Sequence, residues 1–244
     1  MTKPALVIPY GTARPPNTWM TPSPAEDDFI IRVPFVTVAN ALDSALRLDD
    51  YLGRSHSVLG SDLLGDDQLT KLRQALIRHC DPWQRSQHRF LDCYFDFITR
   101  HVENHRNTLI GKLEPYSTLF QFRDWVYSGL LPLPRAHLHA PNSSKPFGPE
   151  TLARVDFAFW TGTTAIAIEI PGKDTRSPVV DQRHFRLRRA GVGIIELADE
   201  LLESANAADF EAALPEDLLL FWHDRALPSG LLKPAALYVE ADEF

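Results

Sequence analysis

Cysteine and long apolar runs are scarce in this sequence. Only Cys80 and Cys93 occur among 244 residues, which argues against a disulfide framework and against a cysteine-rich metal site. No apolar stretch approaches the roughly 18–20 residues that a membrane-spanning helix needs. The N-terminal segment carries a single lysine and an apolar run too short for a signal peptide. We therefore expect a cytoplasmic protein with no membrane partner.

Three common catalytic motifs are also missing. The sequence has no GxSxG nucleophile elbow, no GxGxxG dinucleotide-binding segment and no Walker-A loop. Their absence argues against serine hydrolase, Rossmann and P-loop chemistry. The composition, with 44% hydrophobic and 23% charged residues, is that of an ordinary globular protein with one large domain or an elaborated core.

Charge is unevenly distributed along the chain. The net charge is −7, but the balance is −4 over residues 1–69, +7 over residues 70–195 and −10 over residues 196–244. Binding to phosphates depends on the local field over about one Debye length, not on the total charge. The basic middle is therefore compatible with a nucleic-acid partner, although an ordinary solvated surface has the same balance.

Apolar periodicity and turn residues predict an α/β protein. The order helix, strand, strand, strand, helix, strand in the second half indicates a mixed central sheet flanked by helices. Pro82 should interrupt the helical pattern over Asp66–Arg106. Further helices are predicted at Ala39–Tyr51, Ser117–Tyr127 and Ser177–Ala190, the last ended by Gly191. Strands or extended segments are predicted at Ala5–Pro9, Phe29–Val38, Leu130–Ala140, Asp156–Trp160, Ala165–Ile170, Val192–Leu197, Asp217–His223 and Ala235–Glu240, with a loop at Thr12–Pro24.

Two carboxylates follow apolar runs in the middle of the chain. Asp156 follows Leu152–Val155, and Glu169 follows Thr164–Ile168. If a turn at Trp160–Thr163 closes an antiparallel pair of strands, both carboxylates reach the same end of the sheet. Mg²⁺ prefers oxygen ligands and needs only one or two carboxylates from a protein. The pair therefore predicts a site for Mg²⁺, or for Mn²⁺, that promotes attack of water on a phosphodiester.

Two further residues are candidates for the same site. Lys173 follows Glu169 by four residues, after a Pro-Gly turn. Its ammonium would orient or deprotonate the attacking water, or stabilise the negative charge of the transition state. Glu114, on the first helix of the predicted core, would bind a metal-bound water.

Several short segments together resemble the PD-(D/E)xK nuclease superfamily, most closely its very-short-patch-repair-endonuclease-like branch. They lie between about residue 112 and residue 202 and comprise Glu114 before a helix, SGLLPLPRAHL, RVDFAFW, TAIAIEIPGK, an arginine-rich helix and VGIIEL. The resemblance implies a restriction-endonuclease-like core and a Mg²⁺-dependent endonuclease acting on DNA. It also implies that Asp156 and Glu169 are the metal ligands.

The sequence departs from that pattern at one position. The superfamily places lysine two residues after the second acidic residue, where this chain has Pro171, and Lys173 comes two residues later. Elsewhere in the superfamily the role of this lysine has moved to the following helix. The resemblance therefore implies three auxiliary candidates on that helix, Gln182, His184 and Arg186.

The helix after the Pro-Gly turn carries the densest basic cluster of the chain. Arginine side chains match phosphate oxygens in bidentate fashion and would hold a nucleic-acid backbone without reading its sequence. Asp181, His184 and Arg188 share one face of this helix, and a solvated, salt-bridged face explains the same spacing. The candidate phosphate-binding residues are Arg176, Arg183, Arg186, Arg188 and Arg189.

These observations predict three regions. Residues 1–110 form an α-rich N-terminal extension with short strands, residues 111–202 form the nuclease-like core, and residues 203–244 add strands and an acidic tail. We expect a nuclease that binds DNA in preference to RNA, either alone or as a homodimer or larger assembly. The alternatives are a catalytically inactive subunit that binds nucleic acid or a protein partner, and a structural or protein-interaction module. For Asp156 and Glu169 themselves, the alternative is two carboxylates at strand ends that face solvent.

Overall fold

The computed structural model describes most of the predicted core. The described residues are 6–12, 19–22, 29–32, 37–41, 45–51, 66–117, 120–140, 151–171, 177–204, 206–215 and 218. Lys173, Arg176 and the predicted strand Ala235–Glu240 lie outside them. So does the predicted strand Asp217–His223, apart from Leu218.

A mixed four-stranded sheet lies at the centre of the described chain. Its strands are β5 (Leu133–Pro134), β8 (Phe157–Trp160), β9 (Ala165–Glu169) and β10 (Gly193–Glu196). Their order in the sheet is β10-β9-β8-β5, with β9 antiparallel to β8 and parallel to β10. The turn between β8 and β9 is tight, and Gly162 adopts a φ of +96° there. This arrangement confirms the predicted α/β class with a mixed sheet flanked by helices.

A second antiparallel pair continues the ribbon that β5 and β8 begin. It joins β6 (His137–His139) to β7 (Leu152–Arg154) in the same register as β5 and β8. The ladder is interrupted where Arg135 adopts a φ of +49°, which costs about 1 kcal/mol or more for a residue with a Cβ atom. The Arg135 N–H donates to the Asp156 carbonyl oxygen across this interruption at 2.7 Å. Asp156 therefore lies where this ribbon of strands is distorted.

Two helices before residue 105 cover one face of the sheet and its edge. They are α1 (Asp66–Ile77) and α2 (Arg85–Asn104), and the break between them contains Pro82 as predicted. The apolar stripe of α2 lies against β8, with 4.4 Å between the rings of Phe90 and Phe157 and 5.3 Å between those of Tyr94 and Phe159. Within the described residues, no helix has the length and apolar character needed to cross a membrane.

The helix between β9 and β10 begins and ends where the sequence signals indicated. In α4 (Pro178–Arg189), the Ser177 hydroxyl oxygen accepts from the Val180 N–H at 3.4 Å, and proline occupies the first turn. The N–H groups of Gly191 and Val192 donate to the carbonyls of Arg188 and Leu187, which is the Schellman arrangement. Gly191 has a φ of +82° there.

The remaining helices are short and frame the sheet. Helix α3 follows α2 directly and continues into a 3₁₀ turn. Two more helices follow β10, and Phe210 of the second lies 6.0 Å from Phe90 between ring centroids. The bounds are α3 (Arg106–Leu113), the 3₁₀ turn Glu114–Tyr116, α5 (Asp199–Ser204) and α6 (Ala207–Ala213).

The N-terminal predictions were partly wrong. Part of the predicted loop Thr12–Pro24 is a strand, and the predicted strand Phe29–Val38 contributes to two separate strands. The predicted helix Ala39–Tyr51 is wrong at its start, because residues up to Ala41 pair with the strand Leu6–Tyr10. Among the described residues of that range, only 48–51 form a helical turn. These strands form two antiparallel pairs: β1 (Leu6–Tyr10) with β4 (Thr37–Ala41), and β2 (Trp19–Pro22) with β3 (Phe29–Arg32).

The predicted helix Ser117–Tyr127 is also different from the observed structure. The chain forms a 3₁₀ helix over Phe122–Ser128, which begins with reciprocal hydrogen bonds between Gln121 and Asp124. A 3₁₀ helix suits a short segment, because its hydrogen bonds join residues i and i+3. The helix ends at Gly129, whose carbonyl oxygen accepts from the Leu48 N–H.

Candidate active site

Asp156 and Glu169 lie side by side at one end of the central sheet. Asp156 immediately precedes β8 and Glu169 ends β9, and the antiparallel register pairs their neighbours Phe157 and Ile168. Both side chains are buried, with 7% and 8% of their surface exposed. The structure thus brings the two predicted carboxylates together, and the solvent-facing alternative is wrong for this pair.

Asp156 is held by a donor on each carboxylate oxygen. Its Oδ1 accepts from Gln87 Nε2 and its Oδ2 accepts from the Ile170 N–H, both at 2.8 Å. Gln87 is fully buried, and its own Oε1 accepts from the Asp81 N–H at 2.8 Å. Because the Gln87 amide is bonded on both sides, it fixes the orientation of Asp156.

Glu169 faces two basic side chains on α4. Arg183 Nη2 lies 2.9 Å from Glu169 Oε1, and His184 Nε2 lies 3.7 Å from the same oxygen. The arginine contact is an ion pair without hydrogen-bond alignment, so Oε1 has no hydrogen bond within the part of the chain that is described, although it is buried. Burial, opposed by Arg183 and reinforced by the charge of Asp156, raises the pKa of Glu169 to about 7.

His184 stands between two carboxylates. Its Nδ1 lies 3.4 Å from Glu196 Oε1, on the side opposite to Glu169. Burial and the neighbouring Arg183 lower the pKa of His184, while Glu196 raises it. Because the side chain is buried, the interpretation of this helix face as fully solvated is wrong for His184.

The other predicted residues occupy several different environments. Glu114 is exposed at the start of a 3₁₀ turn, and no hydrogen bond or ion pair between described residues joins it to Asp156 or Glu169. Gln182 is exposed on α4. Of the candidate phosphate-binding arginines, Arg183 is committed to Glu169 and Arg186 is half-buried. Arg188 and Arg189 are exposed near the end of the helix.

Sequence reasoning missed the residues that position the pair. Gln87 lies 69 positions before Asp156, so no local spacing connects them. A usable signal existed, since Gln87 is a polar residue on the same helix face as Phe90, Leu91 and Tyr94, where an apolar side chain is expected. Glu196 was also missed, although it ends the next strand and lies beside Glu169 in the parallel register.

The donor set of the pair fits a hard divalent cation. Carboxylate oxygens are the preferred protein ligands of Mg²⁺ and Mn²⁺, and Glu169 Oε1 is buried without a hydrogen bond. The described residues contain no group of three or more histidine, cysteine, aspartate or glutamate side chains arranged to hold a metal ion. Any such ion would therefore rely on the two carboxylates, the backbone and water.

Comparison with known proteins adds no assignment. No family model, no curated protein and no solved structure matches this chain.

Proposed function

We propose that the chain is a Mg²⁺-dependent nuclease with a restriction-endonuclease-like core that hydrolyses phosphodiester bonds in DNA. The observation that carries this proposal is the buried pair Asp156 and Glu169 at the ends of adjacent strands. Burying two neighbouring carboxylates is unfavourable unless a cation compensates them. This unfavourable burial of charge raises the pKa of Glu169 to about 7.

The arrangement of elements supports the same proposal. Three successive antiparallel segments, β5, β8 and β9, are followed by α4 and by β10 parallel to β9. This order agrees with the one that the resemblance implies, and both carboxylates lie at one end of the inner strands with α4 beside them. Arg188 and Arg189, at the end of α4, add exposed positive charge beyond the carboxylate pair.

Each residue then has a distinct role. Asp156 and Glu169 would hold the metal ion, whose chemistry is to polarise the phosphate and to increase the acidity of water. Gln87 and the Ile170 N–H keep the Asp156 oxygens in a fixed orientation. Arg183 Nη2 lies 2.9 Å from Glu169 Oε1, so the guanidinium is close enough to form an ion pair with a phosphate bound at this site. Lys173 would assist the attacking water.

A cleavage assay with isosteric variants tests the catalytic pair. Asp156→Asn and Glu169→Gln each remove a negative charge with little change in shape, and each should lower the cleavage rate at least about a hundredfold in Mg²⁺ or Mn²⁺. Glu200→Gln, at an exposed position of α5, is the matched control and should cut like the wild type. Undiminished cutting by the double variant Asp156→Asn/Glu169→Gln would end the proposal.

The second candidate is a nuclease-fold subunit that binds nucleic acid without cutting it. It is favoured by the internal partners of both carboxylates, since Asp156 accepts two hydrogen bonds and Glu169 is paired with Arg183. Pro171 at the usual lysine position favours it as well. This candidate predicts binding that persists in EDTA and weakens steeply with salt, with no cleavage in any divalent metal. Mg²⁺ should then leave the melting temperature unchanged, whereas a nuclease site should be stabilised by the ion.

A further inference from the structure

Trp83 presents its indole almost entirely to solvent. It is 91% exposed, the highest exposed fraction among the large apolar side chains of the described residues. Tryptophan is among the most buried residue types on average, and a single exposed one is costly only in proportion to its area. Exposure alone therefore does not assign Trp83 a role, and the residues around it must be considered.

The turn that carries Trp83 is held by hydrogen bonds. The Trp83 N–H donates to Asp81 Oδ1 at 3.0 Å, and the Gln84 N–H donates to the Asp81 carbonyl oxygen at 3.1 Å. This turn connects α1 to α2 and contains Pro82, which restricts the backbone further. The indole therefore stands on a fixed backbone, which is what a stacking surface requires to bind a ring at low entropic cost.

The same hydrogen bonds connect this turn to the carboxylate pair. Asp81, which caps Trp83, donates its N–H to Gln87 Oε1, and Gln87 Nε2 donates to Asp156 Oδ1. Trp83 is thus linked to Asp156 through Asp81 and Gln87. Arg135 links them as well, because its guanidinium reaches the Cys80 carbonyl oxygen beside the turn and its N–H donates to the Asp156 carbonyl oxygen.

Two arginines lie close to this turn in the sequence, and a third contacts it. Arg78 and Arg85 flank Trp83 in sequence and are exposed. Arg135 Nη1 lies 3.5 Å from the Cys80 carbonyl oxygen, at the base of the same turn. An exposed aromatic ring with cationic side chains nearby in the chain is the combination used by proteins that bind single-stranded nucleic acid, where bases stack and phosphates bind cations. An apolar protein partner would not require the three arginines.

We propose that Trp83 stacks on an unpaired base of a single-stranded or locally unpaired nucleic acid whose backbone passes the Asp156–Glu169 site. This inference rests on the proposed nuclease function and names its substrate class. A duplex hides its base faces within the stack, so an isolated, protruding indole finds a partner only on an unstacked base. Arg78, Arg85 and Arg135 bind the phosphates beside that base.

Binding measured in EDTA tests the stacking role separately from cleavage. The full chain is titrated with a labelled oligodeoxythymidylate of about 12 nucleotides and with the same strand annealed to its complement. Trp83→Ala should weaken binding of the single strand roughly tenfold and leave binding of the duplex unchanged. Trp83→Phe keeps a ring and should stay within about threefold of the wild type, while it loses the tryptophan fluorescence quench that the oligonucleotide causes.

Controls separate stacking from folding. Ile110→Ala, at an exposed apolar position of α3, should bind like the wild type, and all variants should share one melting temperature. Equal affinity of Trp83→Ala and wild type for the single strand would overturn the inference, as would an equal loss for single strand and duplex. Cleavage that survives Asp156→Asn while binding still depends on Trp83 would refute the catalytic pair and leave the stacking role intact.

Discussion

Glu169 is buried beside a second carboxylate, and this placement makes its protonation state matter for folding. Burial raises its pKa from the ordinary 4.5 to about 7. A raised pKa means that the folded protein holds the proton more tightly than the unfolded chain does. The resulting stabilisation is complete below about pH 4.5 and is lost as the pH rises through about 7.

Glu169→Gln should therefore affect stability in a pH-dependent way. Near pH 4.5 the variant and the wild type should have similar free energies of unfolding, because both side chains are neutral in the folded protein. At about pH 8 the variant should be more stable by up to about 3 kcal/mol, because the wild-type carboxylate is then charged and buried. Urea denaturation at the two pH values measures the difference. A difference that does not change with pH would contradict the assigned environment of Glu169.

Gln87 is a positioning residue for Asp156. Gln87→Ala leaves one Asp156 oxygen and the Asp81 N–H without their partners, so the free energy of unfolding should fall by about 1–3 kcal/mol. If the pair is catalytic, the same change should lower kcat more than it raises KM, because the Asp156 carboxylate loses a donor that fixes its orientation.

A neighbouring glutamine provides the control for that effect. Gln84 also contacts Gln87, with 2.6 Å between Gln84 Oε1 and Gln87 Nε2, but it is half-exposed and does not touch Asp156. Gln84→Ala should leave both kcat and KM close to their wild-type values. An unchanged kcat in Gln87→Ala would reduce Gln87 to a purely structural role.

The helices and strands that depend on neighbouring residues were predicted well, whereas those that depend on distant contacts were not. Helix α4 could be predicted almost to the residue because Ser177, Pro178 and Gly191 act through contacts a few residues away. The helix predicted over Ala39–Tyr51 failed because its first residues pair with β1, and Ala41 lies opposite Leu6. The same limit applies within the site: Asp156 and Glu169 end their own apolar runs, whereas Gln87 reaches Asp156 only through tertiary packing.

Two glycines at helix positions should respond oppositely to the same substitution. Gly191 ends α4 with a φ of +82°, and Gly191→Ala should cost about 1 kcal/mol because a Cβ atom disfavours that backbone conformation. Gly111 lies within α3 with open space where an alanine Cβ atom would lie, and Gly111→Ala should stabilise the protein by roughly 0.5–1 kcal/mol. Thermal or urea unfolding distinguishes the two, and changes of the same sign would contradict the assigned helix end.

Across the whole molecule, charge and core are organised differently. The −7 net charge conceals a positive balance over residues 70–195, the region that contains the carboxylate pair, α4 and the Trp83 turn. The buried apolar core, in contrast, contains residues from both sides of the predicted boundary at residue 110. Phe90 of α2 lies among Phe157 and Phe159 of the sheet and Phe210 of α6, within one continuous buried cluster.

This shared core predicts that the helices before residue 110 and the sheet unfold together. Phe90→Ala removes a fully buried ring and should lower the free energy of unfolding by about 3–5 kcal/mol, whereas Ile110→Ala, at a partly exposed position, should change it by less than about 0.5 kcal/mol. Far-ultraviolet circular dichroism, which follows mainly the helices, and near-ultraviolet circular dichroism, which follows the aromatic core, should give coincident urea transitions for the wild type. Separate transitions would mean that α2 belongs to an independent extension, and Phe90→Ala would then destabilise only one of them. Coincident transitions would instead mean that α2, which supplies Gln87 to the carboxylate site, belongs to the same folding unit as the sheet.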